Sequence, residues 1–557
     1  MRVGENTLWK MLFWGLLAAY CWYYAPYGIN ETDGGFLTGL AWQVISGKTL
    51  YVDIIYVRPP VPVWLRALEM NVIPGQWAIL GERWLFYGKV GLYSWLGAAV
   101  LVAGAQRWML AAFSFVVSAH CYPPAAWHTV DGILLGALSI WLFCNWRSAA
   151  TAVLSGLCLA GCMLCKQSFY PMPLIWGLLL FVYSPRRHGG TEHIEYQTVN
   201  VEYGGSTRHL ASGKTMAILA FLLTSGLFVC HLAWTNTFFD FWRLTGGAAS
   251  GGQALQHGVF DYLRISPLVA MPGAILLPPA VWWLARARFA GLAFATWCAL
   301  LIFLGASFGW TIYQRQEFTV PFAQTRFFFW IAAGWGAYRF WTKSWAPRQT
   351  ISFFALLGLG WCASVSWGYN LPILFALPWL YAVLDISATL YSAVFRQTRP
   401  SWLPALALAG LLALFRMGYE FVYRDGPRYA MQVHLGEIFP KLNGIYSNNE
   451  TATLYRELRD LAGRYGPNFK TLPAFPQSNY LTNTYPPLPL DWVVHREMQT
   501  GAGQVKKVLH RQNPVLFIEK NYGNRLNTDP ELQLTMECLI KGKIVEETAH
   551  FWVVRFS

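Results

Sequence analysis

The side chains best suited to chemistry sit in residues 31–66. They read Glu31-Thr32-Asp33-Gly34-Gly35, an amphipathic run, Gly47-Lys48, Tyr51-Val52-Asp53, then Arg58-Pro59-Pro60 before Trp64. A carboxylate such as Asp33 can take the proton from a hydroxyl as it attacks, which is typically worth ~10²–10⁴-fold. A guanidinium such as Arg58 can grip a phosphate through two parallel hydrogen bonds, and the two prolines stiffen the backbone that carries it. An acid and a base of this kind suit group transfer from a phosphate-linked lipid. Lys166 and Arg326 are further candidates for the phosphate clamp, with Arg243 and Arg315 behind them, while Glu31, Asp53 and Asp131 are supporting candidates. Each has a plainer reading. Asp33 and Asp131 can cap helices, Asp53 can shape its turn, Lys166 can reach toward head groups, and the arginines can anchor a membrane interface.

The elements that must hold these residues are set by composition. Of 557 residues 55% are hydrophobic and only 13% charged, against about 25% charged in soluble domains. The apolar runs are continuous and roughly 17–22 residues long, enough to cross a hydrocarbon core of ~30 Å as helix. Their lack of alternation argues against a β-barrel.

About thirteen spans are predicted, near 7–25, 83–104, 108–119, 130–145, 150–166, 168–184, 214–235, 266–285, 289–309, 325–341, 350–366, 371–393 and 402–416. Arg2 and Lys10 precede the first, which reads as an uncleaved signal anchor. Alternating the spans from a cytoplasmic N-terminus puts Arg107, Arg147, Arg186-Arg187, Arg208, Arg286, Arg288, Lys343, Arg348, Arg396 and Arg399 inside, as the positive-inside rule requires. Residues 1–416 then form a transmembrane domain. It has a first outer loop at 26–82, a polar, flexible cytoplasmic loop at 185–213 and an outer flap at 236–265. The flap contains Thr245-Gly246-Gly247-Ala248-Ala249-Ser250-Gly251-Gly252, too glycine-rich for a stable helix.

Residues 417–557 follow as an extracytoplasmic domain. A helical pattern at 451–465 and β-like runs at 515–519, 544–547 and 550–556 suggest α/β, and a Pro/aromatic stretch at 473–492 is suited to docking on the membrane domain. The formal charge of +14 does not imply nucleic acid. This tail has 16 Lys+Arg against 14 Asp+Glu, so the excess lies in the membrane domain, and no basic stripe with interleaved aromatics occurs in a soluble segment. Cys158, Cys162 and Cys165 read as small packing residues on one helix face. His120, His128, His231 and His257 lack a zinc spacing. A divalent metal is not indicated by these residues.

The carboxylate after the first span, the Gly-x-x-x-Tyr-x-Asp step and the basic-Pro-Pro element before an aromatic resemble the first outer loop of GT-C glycosyltransferases. The similar groups are the protein O-mannosyltransferases and the lipid A aminoarabinose transferase. Asp131, Lys166-Gln167, the span count and the outer tail fit the same plan. The resemblance implies an all-α polytopic membrane domain with an outer α/β tail. It also implies a sugar moved from a polyprenyl-phosphate carrier to a lipid, glycan or protein acceptor at the outer face of the cytoplasmic (inner) membrane. On that pattern Asp33 is the general base and Arg58 contacts the donor phosphate, no cofactor being certain. Many relatives carry Asp-Glu where Asp33 is followed by Gly34, so a carboxylate pair, or a metal held by one, does not carry over.

Two other classes compete. A lipid flippase or transporter would show hydropathy repeats and broken mid-span helices, and no clear repeat is present. A non-catalytic scaffold would use its tail to bind an assembly partner. Release of lipid phosphate from a polyprenyl-phosphate-sugar separates the enzyme from both.

Overall fold

The computed structural model of the chain describes residues 3–120, 124–145, 148–182, 207–248, 256–263, 270–284, 286, 289–315, 322–366, 369–370, 372–396, 403–420, 422, 425 and 427–556. Each predicted apolar segment coincides with a helix. These are Val3–Tyr23, Ala78–Leu101, Gly104–Ser118, His128–Cys144, Ala149–Met163, Met172–Val182, Thr207–Trp234, Ala270–Leu284, Ala290–Arg315, Phe322–Trp341, Pro347–Ser364, Leu377–Phe395 and Leu403–Glu420. Among the described residues, Gly213–Trp234 and Leu377–Phe395 are long and apolar enough to cross a membrane by length and composition. The rest fall short for visible reasons. Met172–Val182 has only 11 residues, Ala270–Leu284 contains Pro278 and Pro279, and Ala78–Leu101 carries Glu82, Arg83 and Lys89. Thirteen crossings are therefore not established by the helices themselves.

The helical body is drawn together where small residues let backbones approach. A Cβ on Gly156 would lie 2.1 Å from the Ala217 carbonyl oxygen, so helices Ala149–Met163 and Thr207–Trp234 meet backbone to backbone there. Most of the predicted cytoplasmic loop 185–213 lies outside the described residues, and its last residues, from Thr207, are already helical. The glycine-rich flap is corrected in part. Thr245 to Ala248 close the helix Phe238–Ala248, whose earlier turns carry the ladder through, and the Thr245 hydroxyl donates to the Phe241 carbonyl at 2.7 Å. Residues 249–252 lie outside the described residues.

Between the first and second long helices the chain forms a short turn Asp33–Gly35, a helix Phe36–Ile45 and a helix Val61–Val72. The helix Phe36–Ile45 is mostly buried, which a segment between two long helices achieves only under a cover. The tail supplies it. Its helix Asn449–Tyr465 is capped by Asn448, which accepts from the Thr451 N–H at 2.8 Å. A four-stranded sheet comprises β1 (Phe469–Leu472), β2 (Val515–Glu519), β3 (Lys543–Glu547) and β4 (Phe551–Arg555), in the order β1-β2-β4-β3, with β1 and β2 parallel and the other pairs antiparallel. Strand β1 was not foreseen, since four residues before Pro473 give too short a pattern. The Pro/aromatic stretch after it docks on the first loop. The Ile55 N–H donates to the Pro489 carbonyl at 2.8 Å, Trp42 Nε1 to the Thr484 carbonyl at 3.0 Å, and Trp492 Nε1 to the Thr32 carbonyl at 3.3 Å. Beneath them the buried pair Lys470–Asp491 takes a further bond from Gln43 Nε2 at 2.8 Å.

Gly39 marks the tightest point of this docking, because a Cβ there would meet the Pro476 carbonyl oxygen at 2.5 Å and Asp491 Oδ2 at 2.9 Å. Gly39→Val is expected to destabilise the protein by about 1–3 kcal/mol through overpacking. Gly463→Ala, in open space on a helix, should be neutral or stabilising. Thermal unfolding of both variants in detergent checks this, and equal midpoints would refute it.

Candidate functional site

Arg58 sits on a backbone held from three directions. The Tyr51 hydroxyl donates to the Arg58 carbonyl at 2.9 Å, Gln167 Nε2 to the Val57 carbonyl at 2.5 Å, and the Val61 N–H to the Leu164 carbonyl at 3.2 Å. Pro60 and Pro62 then start the helix Val61–Val72, where a missing N–H costs nothing. The guanidinium lies 5.2 Å from the Phe36 ring centroid and is gripped by a tail carboxylate. Its Nη1 and Nη2 donate to the two oxygens of Glu497 at 2.8 and 2.7 Å, with both side chains more than nine-tenths buried. Nothing around 497 in the sequence announced this partner, which is met only across 439 residues of chain.

Lys166 joins the same neighbourhood. It is buried, and its Nζ donates to the Val365 carbonyl at 2.7 Å. The Arg58 cation lies within its electrostatic range. Next to Val365, the Ser364 hydroxyl bonds Tyr262, and Arg326 Nη1 donates to the Asp261 carbonyl at 2.7 Å. Lys166 and Arg326 thus each bond a backbone carbonyl, of Val365 and of Asp261, and Tyr262 beside Asp261 bonds Ser364 beside Val365. Gln167 also reaches the Thr245 carbonyl at 3.3 Å, tying the end of helix Phe238–Ala248 to the first loop. Arg243, by contrast, is exposed and paired with Asp240 at 2.8 Å.

Several buried polar atoms here have no hydrogen-bond partner among the described residues: Tyr56 Oη, His128 Nδ1, Ser168 Oγ and Arg326 Nε. Tyr56 and His128 both lie in the electrostatic range of Arg58, and His128 in that of Lys166. Orphaned buried donors are rare and call for an explanation. Sequence reasoning passed over Tyr56 and tested His128 only as a metal ligand.

A mostly apolar groove of about 510 Å³ is lined by Val61 and Trp64 from one helix, Gly161 and Leu164 from a second, and Leu227, Phe228 and His231 from a third. Val61 is three residues from Arg58, and Leu164 two from Lys166.

The carboxylates separate into three settings. Asp33 opens the turn Asp33–Gly35, with Thr32 and Gly35 in the cap positions, so it is not itself a helix cap. Its N–H donates to Asn30 Oδ1 at 2.7 Å, and its side chain is partly exposed toward the tail, within electrostatic range of Tyr522. Glu31 faces the same side, near buried Glu519, whose carboxyl is held well above the usual range by burial and by the Glu31 charge. Asp53 is exposed and accepts from the Thr49 N–H at 2.9 Å, a turn role remote from the cations. Asp131 is buried and bound by Lys89 at 2.8 Å.

That last pair belongs to a network the sequence did not reveal. Lys89 also holds Glu69 at 2.8 Å. Arg66 binds Glu69 at 3.3 Å and Glu82 at 2.5 Å, and Glu82 accepts from the Thr38 hydroxyl at 3.0 Å. The only hint was that Arg66, Glu69, Glu82 and Lys89 recur at one face of apolar helices. Among the described residues no group of three His, Cys, Asp or Glu is arranged to hold a metal.

The fold is similar to that of the archaeal oligosaccharyltransferase AglB from Archaeoglobus fulgidus in complex with an inhibitory peptide and a dolichol-phosphate. The identity is 12% and the TM-score 0.46, over 96% of this chain and 72% of that one. A structure of the Archaeoglobus fulgidus oligosaccharyltransferase with Zn and sulfate gives 13%, 0.46, 95% and 70%. ArnT from Cupriavidus metallidurans in the apo state gives 13%, 0.42, 99% and 98%. These neighbours are GT-C glycosyltransferases, but at this depth the likeness says nothing of individual residues. No protein-family model matches the sequence, and no curated protein is similar to it.

Removing Lys89 would leave Asp131 and Glu69 without their shared cation. Lys89→Met is expected to cost about 3–5 kcal/mol, read by chemical unfolding in detergent, with Lys89→Arg recovering most of it. Wild-type stability for Lys89→Met would mean that the network is not structural.

Proposed function

We propose that the chain is a polytopic membrane glycosyltransferase of the GT-C type. It moves a sugar from a polyprenyl-phosphate carrier to an acceptor hydroxyl at the outer face of the membrane, with the tail on that face. The observation that carries this reading is the pair of buried cations Arg58 and Lys166, within electrostatic range of each other and of His128, with the chain running from each within three residues into the lining of a mostly apolar groove. A phosphate with a long hydrocarbon chain has the two halves such a place can accept. Phosphate alone would not need the groove, and a simple hydrocarbon would not tolerate the charges.

In the reaction the acceptor oxygen attacks the anomeric carbon while the bond from that carbon to the phosphate oxygen breaks. The hydroxyl proton passes to the Asp33 carboxylate, and the released lipid phosphate keeps the bonding pair and the negative charge. Fixed cations in a water-poor site stabilise that charge as it develops, without reorganising. Arg58 and Lys166, with Arg326 as a further cation, fill that role. Phe36 touches both ends of the loop: its ring lies 5.2 Å from the Arg58 guanidinium and 4.4 Å from Trp492, whose Nε1 donates to the Thr32 carbonyl next to Asp33.

Asp33→Asn should abolish transfer and leave donor binding nearly unchanged, because the loss is in the transition state. Full-length protein in proteoliposomes with a polyprenyl-phosphate-sugar donor provides the assay, scored by release of the lipid phosphate. Turnover within a few-fold of wild type would remove Asp33 from the mechanism.

A further inference from the structure

Arg58 cannot shed its charge, and a buried guanidinium without a counter-ion is strongly unfavourable. In this structure the counter-ion is Glu497, whose two oxygens fill both ends of the fork. A carboxylate and a phosphate offer a guanidinium the same two-oxygen edge, so the two compete for one place. Glu497 ends neither in a strand nor in a long helix. It sits in the four-residue helix His495–Met498, followed by Gln499 at φ 44° and ψ −126°. That backbone region is sparsely populated by residues other than glycine and persists only where the surroundings over-determine it. The turn Gln499–Gly501 then packs on the helix Phe238–Ala248, and Gly501 lies so close to Ile55 that a Cβ would come within 2.7 Å.

We propose that Glu497 is a positioning residue for donor binding. It is the tail's own occupant of the Arg58 fork, holding the fork open and paired while the site is empty, and it is exchanged for the donor phosphate when the carrier arrives. This rests on the reading of Arg58 as a phosphate ligand. Donor binding then frees Glu497, relaxes the strained turn at Gln499 and loosens the 495–501 segment against the first loop. The tail is thereby informed that the donor is in place. The exchange also selects the ligand, since only an anion that outbids a pre-formed bidentate carboxylate gains the fork.

The test uses full-length protein in detergent and farnesyl phosphate as probe, with affinity measured by calorimetry. Glu497→Gln keeps the shape and removes the competing charge, so binding should tighten by about tenfold or more, with Glu497→Asp close to wild type. In an Arg58→Ala background the change at Glu497 should have no effect on affinity. If Arg58→Ala weakens binding while Glu497→Gln leaves it unchanged or weaker, the exchange is wrong and Glu497 is a structural strut. If Arg58→Ala has no effect, the clamp reading itself fails. Hydrogen exchange of wild-type residues 495–501 gives a readout independent of any variant's folding. Saturating probe should speed exchange there, and no change would overturn the proposal.

Discussion

A guanidinium withdrawn from water must be paired, because its proton cannot be given up to relieve the cost. That constraint organises the contact between the first loop and the tail. Arg58 is carried on a loop whose backbone is pinned by Tyr51, Gln167 and Leu164, and its charge is answered by Glu497 from a domain far along the chain. The tail is therefore part of the site's electrostatics, and its docking along Pro476 to Trp492 fixes where that answer arrives.

Below this lies a second buried set of charges. Lys89 and Arg66 sit among Asp131, Glu69 and Glu82, three acids to two bases. The additional hydrogen bonds from Thr38 and from the Ala126 N–H to Glu82 make such a set tolerable, since a half-satisfied network is worse than an apolar one. Its effect is to lock the helix Val61–Val72 to the helices Ala78–Leu101 and His128–Cys144. The groove beside Val61 and the fork at Arg58 thereby keep a fixed relation. Rigid support of this kind is what a site needs if its reacting groups are to be held within fractions of an ångström.

The position of every long helix was legible in the sequence. Continuous apolar runs have no other way to satisfy their backbone in a nonpolar setting. The loop holding Asp33, Arg58 and the two prolines could be singled out as well, because charges beside apolar helices stand out against their surroundings. The helix at 449–465 and three of the four tail strands followed from periodicity. Strand β1 did not, being four residues long and ended by Pro473, and helix Phe238–Ala248 ran further into its glycines than composition suggested.

Tertiary structure alone decided which charges meet. Lys166 is brought to the Val365 carbonyl and Arg326 to the Asp261 carbonyl, each from far along the chain. Asp131 is turned toward Lys89, Asp53 is left in an exposed turn, and Tyr56 and His128 become buried donors without partners. Local sequence specifies a backbone segment through hydrogen bonds and burial that it can satisfy by itself. The partner of a buried charge is fixed by packing across the whole chain, so Glu497, which no sequence pattern singles out, becomes the counter-ion of Arg58 only when the tail closes over the first loop.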